Sequence, residues 1–133
     1  MMSTLKKLVW AVGLLAISAT ASAQQIFFCE SVDANGKPSG ASNSFSIVSQ
    51  GSFLNILVKL NAPVATSKVI FDIYRVDSLG KEKFESTSQL AVEPLWTWFN
   101  KGFTFYQPGD YVIYAYDESE KLIVAGKLKL ESK

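Results

Sequence analysis

Apolar and polar residues alternate with a period of two through most of the chain beyond residue 24, the pattern of strands with one face in a core. The alternation is clearest in Ser52 to Leu60, which puts Leu54, Ile56, Val58 and Leu60 on one face before Pro63 ends the run. Lys68 to Val76 (KVIFDIYRV) is the next strand, closed by Asp77-Ser78-Leu79-Gly80. Upstream, Gln25 to Ser31 reads as a first strand. It is followed by a turn at Asn35-Gly36, a pair that tolerates positive φ, and then by Ser42 to Val48, broken at Gln50-Gly51. Downstream, Lys81 to Val92 is more polar and suits an edge, where charge discourages unwanted pairing. Trp96 to Tyr106 predicts a strand or a bent pair of them. Pro108-Gly109 leads into Asp110 to Asp117, and Glu118-Ser119-Glu120 into Lys121 to Leu130. Nothing longer than a turn repeats at helical spacing.

Seven or eight short strands with turn chemistry between them predict an all-β fold, an antiparallel sandwich. The 110 residues from 24 to 133 suit one domain with its own core. No repeat, low-complexity tract or linker divides them.

The first 23 residues predict an export signal. Lys6 and Lys7 form a positive start, Leu8 to Ile17 is apolar, and Ala21-Ser22-Ala23 offers small residues for cleavage after Ala23. The uncharged run from Leu8 to Ala23 is 16 residues, short of the roughly 20 that a spanning helix needs. The expected address is the periplasm or the exterior of a Gram-negative bacterium, with no stable membrane insertion after cleavage. Loss of the two signal lysines takes the side-chain charge from +1 to −1. A near-neutral chain with scattered charges has no footprint for nucleic acid.

The segment Pro108-Gly109-Asp110-Tyr111-Val112-Ile113-Tyr114-Ala115-Tyr116-Asp117 resembles the penultimate strand of immunoglobulin-like and fibronectin-type-III-like modules. The likeness extends through the following hairpin to Gly126. The resemblance implies that Tyr111 is the tyrosine whose hydroxyl bonds back to the preceding corner. The position two residues on, a cysteine in antibody domains, is Ile113 here, and the single cysteine, Cys29, has no intrachain partner. The likeness therefore concerns architecture, and a sandwich implies no function by itself.

Chemistry is constrained mainly by what is missing. The chain has no histidine, which removes the commonest general base, the usual zinc ligand and every Ser-His or Cys-His pair. Cys29 sits among Ile26, Phe27 and Phe28 and is expected to be buried rather than paired with another chain. No phosphate loop occurs, and Asp117-Glu118-Ser119-Glu120 lacks the alternating ligands of a calcium loop. The expectation is a non-catalytic module without cofactor or metal. A hydrolase built on two converging carboxylates is the minor alternative.

Two surfaces are candidates for binding. With Tyr111, Ile113 and Ala115 inward, the outer face of the sheet collects Ile70, Tyr74, Val112, Tyr114, Tyr116 and Ile123. Such a tyrosine-rich face, expected to be at least partly exposed, suits a protein partner or self-association; the same residues also fit a ladder that merely supports strand pairing. The stretch LWTWFNKGFTFY, from Leu95 to Tyr106, puts Trp96, Trp98 and Asn100 on one face of a strand. Exposed, Trp96 and Trp98 would form a stacking platform for a sugar or a peptide with Asn100 as polar handle; otherwise Phe103 and Phe105 are core and one or both tryptophans are a lid over the end of the sandwich.

Overall fold

The computed structural model describes residues 24–133, and the expected export signal lies outside them. Ten strands follow in order: β1 (Gln24–Cys29), β2 (Ser31–Val32), β3 (Pro38–Ser39), β4 (Ser44–Ile47), β5 (Ser52–Leu60), β6 (Lys68–Val76), β7 (Glu82–Ala91), β8 (Trp98–Phe105), β9 (Gly109–Asp117) and β10 (Leu122–Ser132). Among the described residues there is no helix. Two sheets face each other, one ordered β1-β5-β8 and the other β4-β10-β9-β6-β7. The β2–β3 pair is a small hairpin of its own. Neighbours pair antiparallel except β4, which runs parallel to β10.

The core lies between the sheets, where the alternation predicted it. Leu54, Ile56 and Val58 from β5 meet Val69, Phe71 and Ile73 from β6 and Tyr111, Ile113 and Ala115 from β9, all buried. Phe71 anchors the middle, edge-on to Phe99 at 6.3 Å and to Phe103 at 5.6 Å. Each such ring removed from water contributes about 1.5–3 kcal/mol, and Phe28, Phe71, Phe99 and Phe105 are all buried here.

The two sides of the sandwich differ. On one side β1 lies close to β10: a Cβ at Gly126 would come within 2.6 Å of Ile26 and 3.2 Å of the Phe28 ring, so only glycine allows the approach. On the other side stand β7 and β8, each the last strand of its sheet. Only six residues, 92–97, join them, too few for a further strand between.

Three hairpin turns share one local design. Asp33, Asp77 and Asp117 each accept, at Oδ1, the backbone N–H groups two and four residues on, at 2.8–2.9 Å. In each turn the fourth residue has positive φ: Gly36 at 79°, Gly80 at 82° and Glu120 at 67°. These backbone bonds hold the exposed Asp33 carboxyl below the usual range. The acidic tip at Asp117 is thus a turn device.

Candidate binding site along an open strand edge

The β7–β8 connection is fixed by its own backbone. The N–H groups of Leu60, Val64 and Ala65 donate to the carbonyls of Thr97, Trp96 and Pro94, at 2.8–2.9 Å, and Trp96 N–H closes a turn onto Glu93 at 2.9 Å. With its carbonyls held inward, the loop turns Leu95 and Trp96 outward, 81% and 43% exposed. These two side chains form the rim of a cavity of about 550 Å³. Residues 95–100 line it consecutively, with Leu90 and Ala91 from the end of β7 opposite. Of these lining residues 98–100 belong to β8, where side chains alternate between faces, so three consecutive ones in the lining place the cavity across the unpaired edge of that strand.

Trp96, Trp98 and Asn100, expected to share a face, do come together in this cavity. Their freedom differs. The β2–β3 hairpin lies on Trp98, so closely that a Cβ at Gly36 would sit 2.6 Å from the indole. Asn100 donates to Asn55 Oδ1 at 2.9 Å, and Asn55 in turn donates to the Glu30 carbonyl at 3.2 Å. Trp98 and Asn100 therefore form a braced wall, and Trp96 is the exposed ring.

A second cavity, about 280 Å³, continues along the same seam. It is lined by residues 103–107, again consecutive, with Glu85 and Ser86 from β7. Between the two cavities lies Lys101, half-buried, with its ammonium 5.9 Å from the Phe103 ring centre. Among the described residues no carboxylate lies within ion-pair distance of it. Sequence reasoning missed this second cavity and Lys101, because nothing local marks β8 as an edge; that follows from the order of strands.

The tyrosine face, expected to be at least partly exposed, is buried. Tyr74, Tyr114, Tyr116 and Val112 do share the outer face of the five-stranded sheet, with Ile70 packed against them. They are buried, at 8%, 7%, 4% and 6% exposure. The rings lie on one another: Tyr74 is edge-on to Tyr114 at 5.5 Å, and Tyr114 stacks on Tyr116 at 6.1 Å. Tyr114 Oη donates to Glu82 Oε1 at 2.7 Å. Ile123 was expected on this face and instead packs against the central core. A β-bulge between Leu122 and Val124 inserts it as an extra residue, which turns Leu122 outward and Ile123 inward. A small second core occupies the place of the expected exposed patch.

Burial raises the pKa of Tyr74, Tyr111, Tyr114 and Tyr116, and for Tyr114 the hydrogen bond to Glu82 adds to the effect. Cys29 is fully buried, with Sγ 3.8 Å from the Asn55 carbonyl, and burial pushes its thiol up as well. Among the described residues no group of three or more Cys, Asp or Glu side chains is placed to hold a metal.

An immunoglobulin-like protein from Pseudomonas aeruginosa superposes with a TM-score of 0.51 over 80% of this chain and 92% of its own, at 8% identity. The fold is immunoglobulin-like. Its corner tyrosine is in place, since Tyr111 Oη donates to the Gln107 carbonyl at 2.7 Å. A superoxide reductase (neelaredoxin) from Ignicoccus hospitalis (TM-score 0.46, 14% identity, 87% of this chain and 86% of that one) superposes less well. So does the CARDB domain of a Pyrococcus furiosus protein (TM-score 0.43, 12% identity, 83% and 96%). Similarity at that level carries no argument about this immunoglobulin-like chain. No protein-family model and no curated protein matches it in sequence.

Proposed function

We propose that this immunoglobulin-like sandwich is a non-catalytic binding module, exported to the periplasm or cell surface of a Gram-negative bacterium, that captures a protein partner at the open edge of β8. The observation that carries the reading is the pair Leu95 and Trp96, which stand 81% and 43% exposed at the rim of an apolar cavity. A small domain rarely leaves two such residues side by side without an occupant, and tryptophan is among the residues enriched at the energetic centres of protein interfaces. The cavity contains no titratable side chain, which favours binding over catalysis. The export reading rests on Lys6, Lys7 and the apolar run that follows.

Carbohydrate is the second reading, favoured by the meeting of Trp96, Trp98 and Asn100 in one cavity. A single titration separates the two. The purified protein is mixed with a panel of peptides and, separately, of oligosaccharides while tryptophan emission is followed, with Trp96→Ala as control. Peptides should shift the emission to the blue, and Trp96→Ala should abolish the shift. A shift with oligosaccharides alone would move the site to the carbohydrate class.

A further inference from the structure

Taking that reading as its base, we infer that β8 recognises its partner by strand addition. An extended segment of another protein pairs with the free edge of β8, and an acidic residue of that segment meets Lys101. Three observations carry this. β8 ends its sheet, so one side of its backbone has no neighbour. Within β8, the consecutive residues 98–100 line one cavity of the seam and 103–105 the other, so both cavities cross the strand's edge and present backbone as well as side chains. Lys101 stands between them with no carboxylate partner among the described residues.

The two edges of the seam are protected unequally. β7 carries Glu82, Lys83 and Glu85 along its length, and its pairing with β6 shifts register at Ile73/Tyr74, the usual devices against unwanted pairing. β8 (WFNKGFTF) has one charge, Lys101, and its stem lies half-buried in the seam. Strand addition draws affinity from main-chain hydrogen bonds and specificity from pockets for alternate side chains. Trp98 in the first cavity and Thr104 in the second are six residues apart along β8, or about 20 Å. The matching ligand is an extended peptide with two apolar side chains six residues apart and a carboxylate between them. A second copy of this chain fits poorly, because antiparallel β8–β8 pairing centred on the seam would set Lys101 against Lys101.

The test uses a nine-residue peptide, acetylated and amidated, of threonine with leucine at position 2, aspartate at 4 and 6, and valine at 8. Binding to the purified protein is followed by tryptophan emission and calorimetry. Lys101→Glu should weaken this peptide about tenfold and favour the version with lysine for aspartate, as expected for a partly desolvated charge pair. N-methylation of alternate amides in one register should cost at least about tenfold, and in the other register little, because only every second amide of an added strand faces its neighbour. Equal effects in both registers would overturn strand addition yet leave peptide capture at Trp96 standing. No binding of this peptide, or indifference to Lys101→Glu, would overturn the proposal. So would self-association of the protein through β8, which assigns the edge to a second copy.

Discussion

The hydroxyl of Tyr111 donates to the carbonyl of Gln107, four residues back and 2.7 Å away, and so ties the start of β9 to the corner the chain has just turned. Arg75 braces the same corner: its guanidinium donates to the Gln107 side chain and, at 2.6 Å, to the Pro108 carbonyl, and it lies 6.0 Å from the Tyr111 ring centre. Tyr111→Phe keeps the buried ring and removes only the hydroxyl. The expected cost is about 1–3 kcal/mol, since a partly buried carbonyl loses its donor. It should be read as a lower urea midpoint at unchanged slope. An unchanged midpoint would mean that Arg75 holds the corner alone.

The three aspartate turns predict a stabilising substitution. Two place glycine at the position of positive φ, and the third places Glu120 there, at 67°. A side chain in that region carries a cost of about 1–2 kcal/mol, partly offset by the greater freedom of glycine in the unfolded chain. Glu120→Gly should therefore raise stability by about 0.5–1 kcal/mol, measured by thermal or urea unfolding. A loss of stability would show that the Glu120 side chain has a role beyond the turn.

The tyrosine cluster should make the protein sensitive to alkali. Burial raises the folded-state pKa of Tyr74, Tyr111, Tyr114 and Tyr116 above the ordinary phenol value of about 10. Below that value both states are neutral and the stability is fully present. Above it the unfolded chain releases protons that the folded chain retains, so stability falls as pH rises. Urea midpoints should drop steadily above about pH 10, and phenolate absorbance at 295 nm should rise together with unfolding. Normal ionisation of all five tyrosines in the folded protein would refute the second core.

Substitution within that cluster should also be costly. Tyr114→Ser with Tyr116→Ser removes two stacked, buried rings and should lower stability by at least about 4 kcal/mol, or prevent folding. Tyr114→Phe, which loses only the bond to Glu82, should cost about 1 kcal/mol. A double serine variant of normal stability would mean that the rings are not packed.

Cys29 should be inert. It is fully buried, and burial raises its thiol pKa. A thiol reagent should fail to modify the native protein and react promptly in urea. Rapid native modification, or a disulfide-linked dimer, would contradict the packing of β1 on β5.

What was legible in the sequence was parity, and what escaped was context. Ser52 to Leu60 and Lys68 to Val76 were read with their observed bounds, because their alternation is uninterrupted and turn residues close both. Tyr114 and Tyr116 were placed correctly on the outer face, yet outward on a sheet is not the same as exposed once large rings can cover one another. Ile123 was placed on the wrong face because parity counting assumes an even ladder, and one inserted residue at Leu122/Val124 reverses it. Trp98 gave no local sign that the Gly36 turn would rest on it, a contact between segments about 60 residues apart. The open edge of β8 had no signature at all, since it follows from strand order.

Amide hydrogen exchange along β8, with and without bound peptide, tests the account most directly. Strand addition predicts that every second amide from Trp98 to Phe105 is slowed by the peptide, together with a change at Trp96, while the tyrosine face of β6 and β9 is unaffected. Protection confined to that tyrosine face, or none along β8, would contradict it.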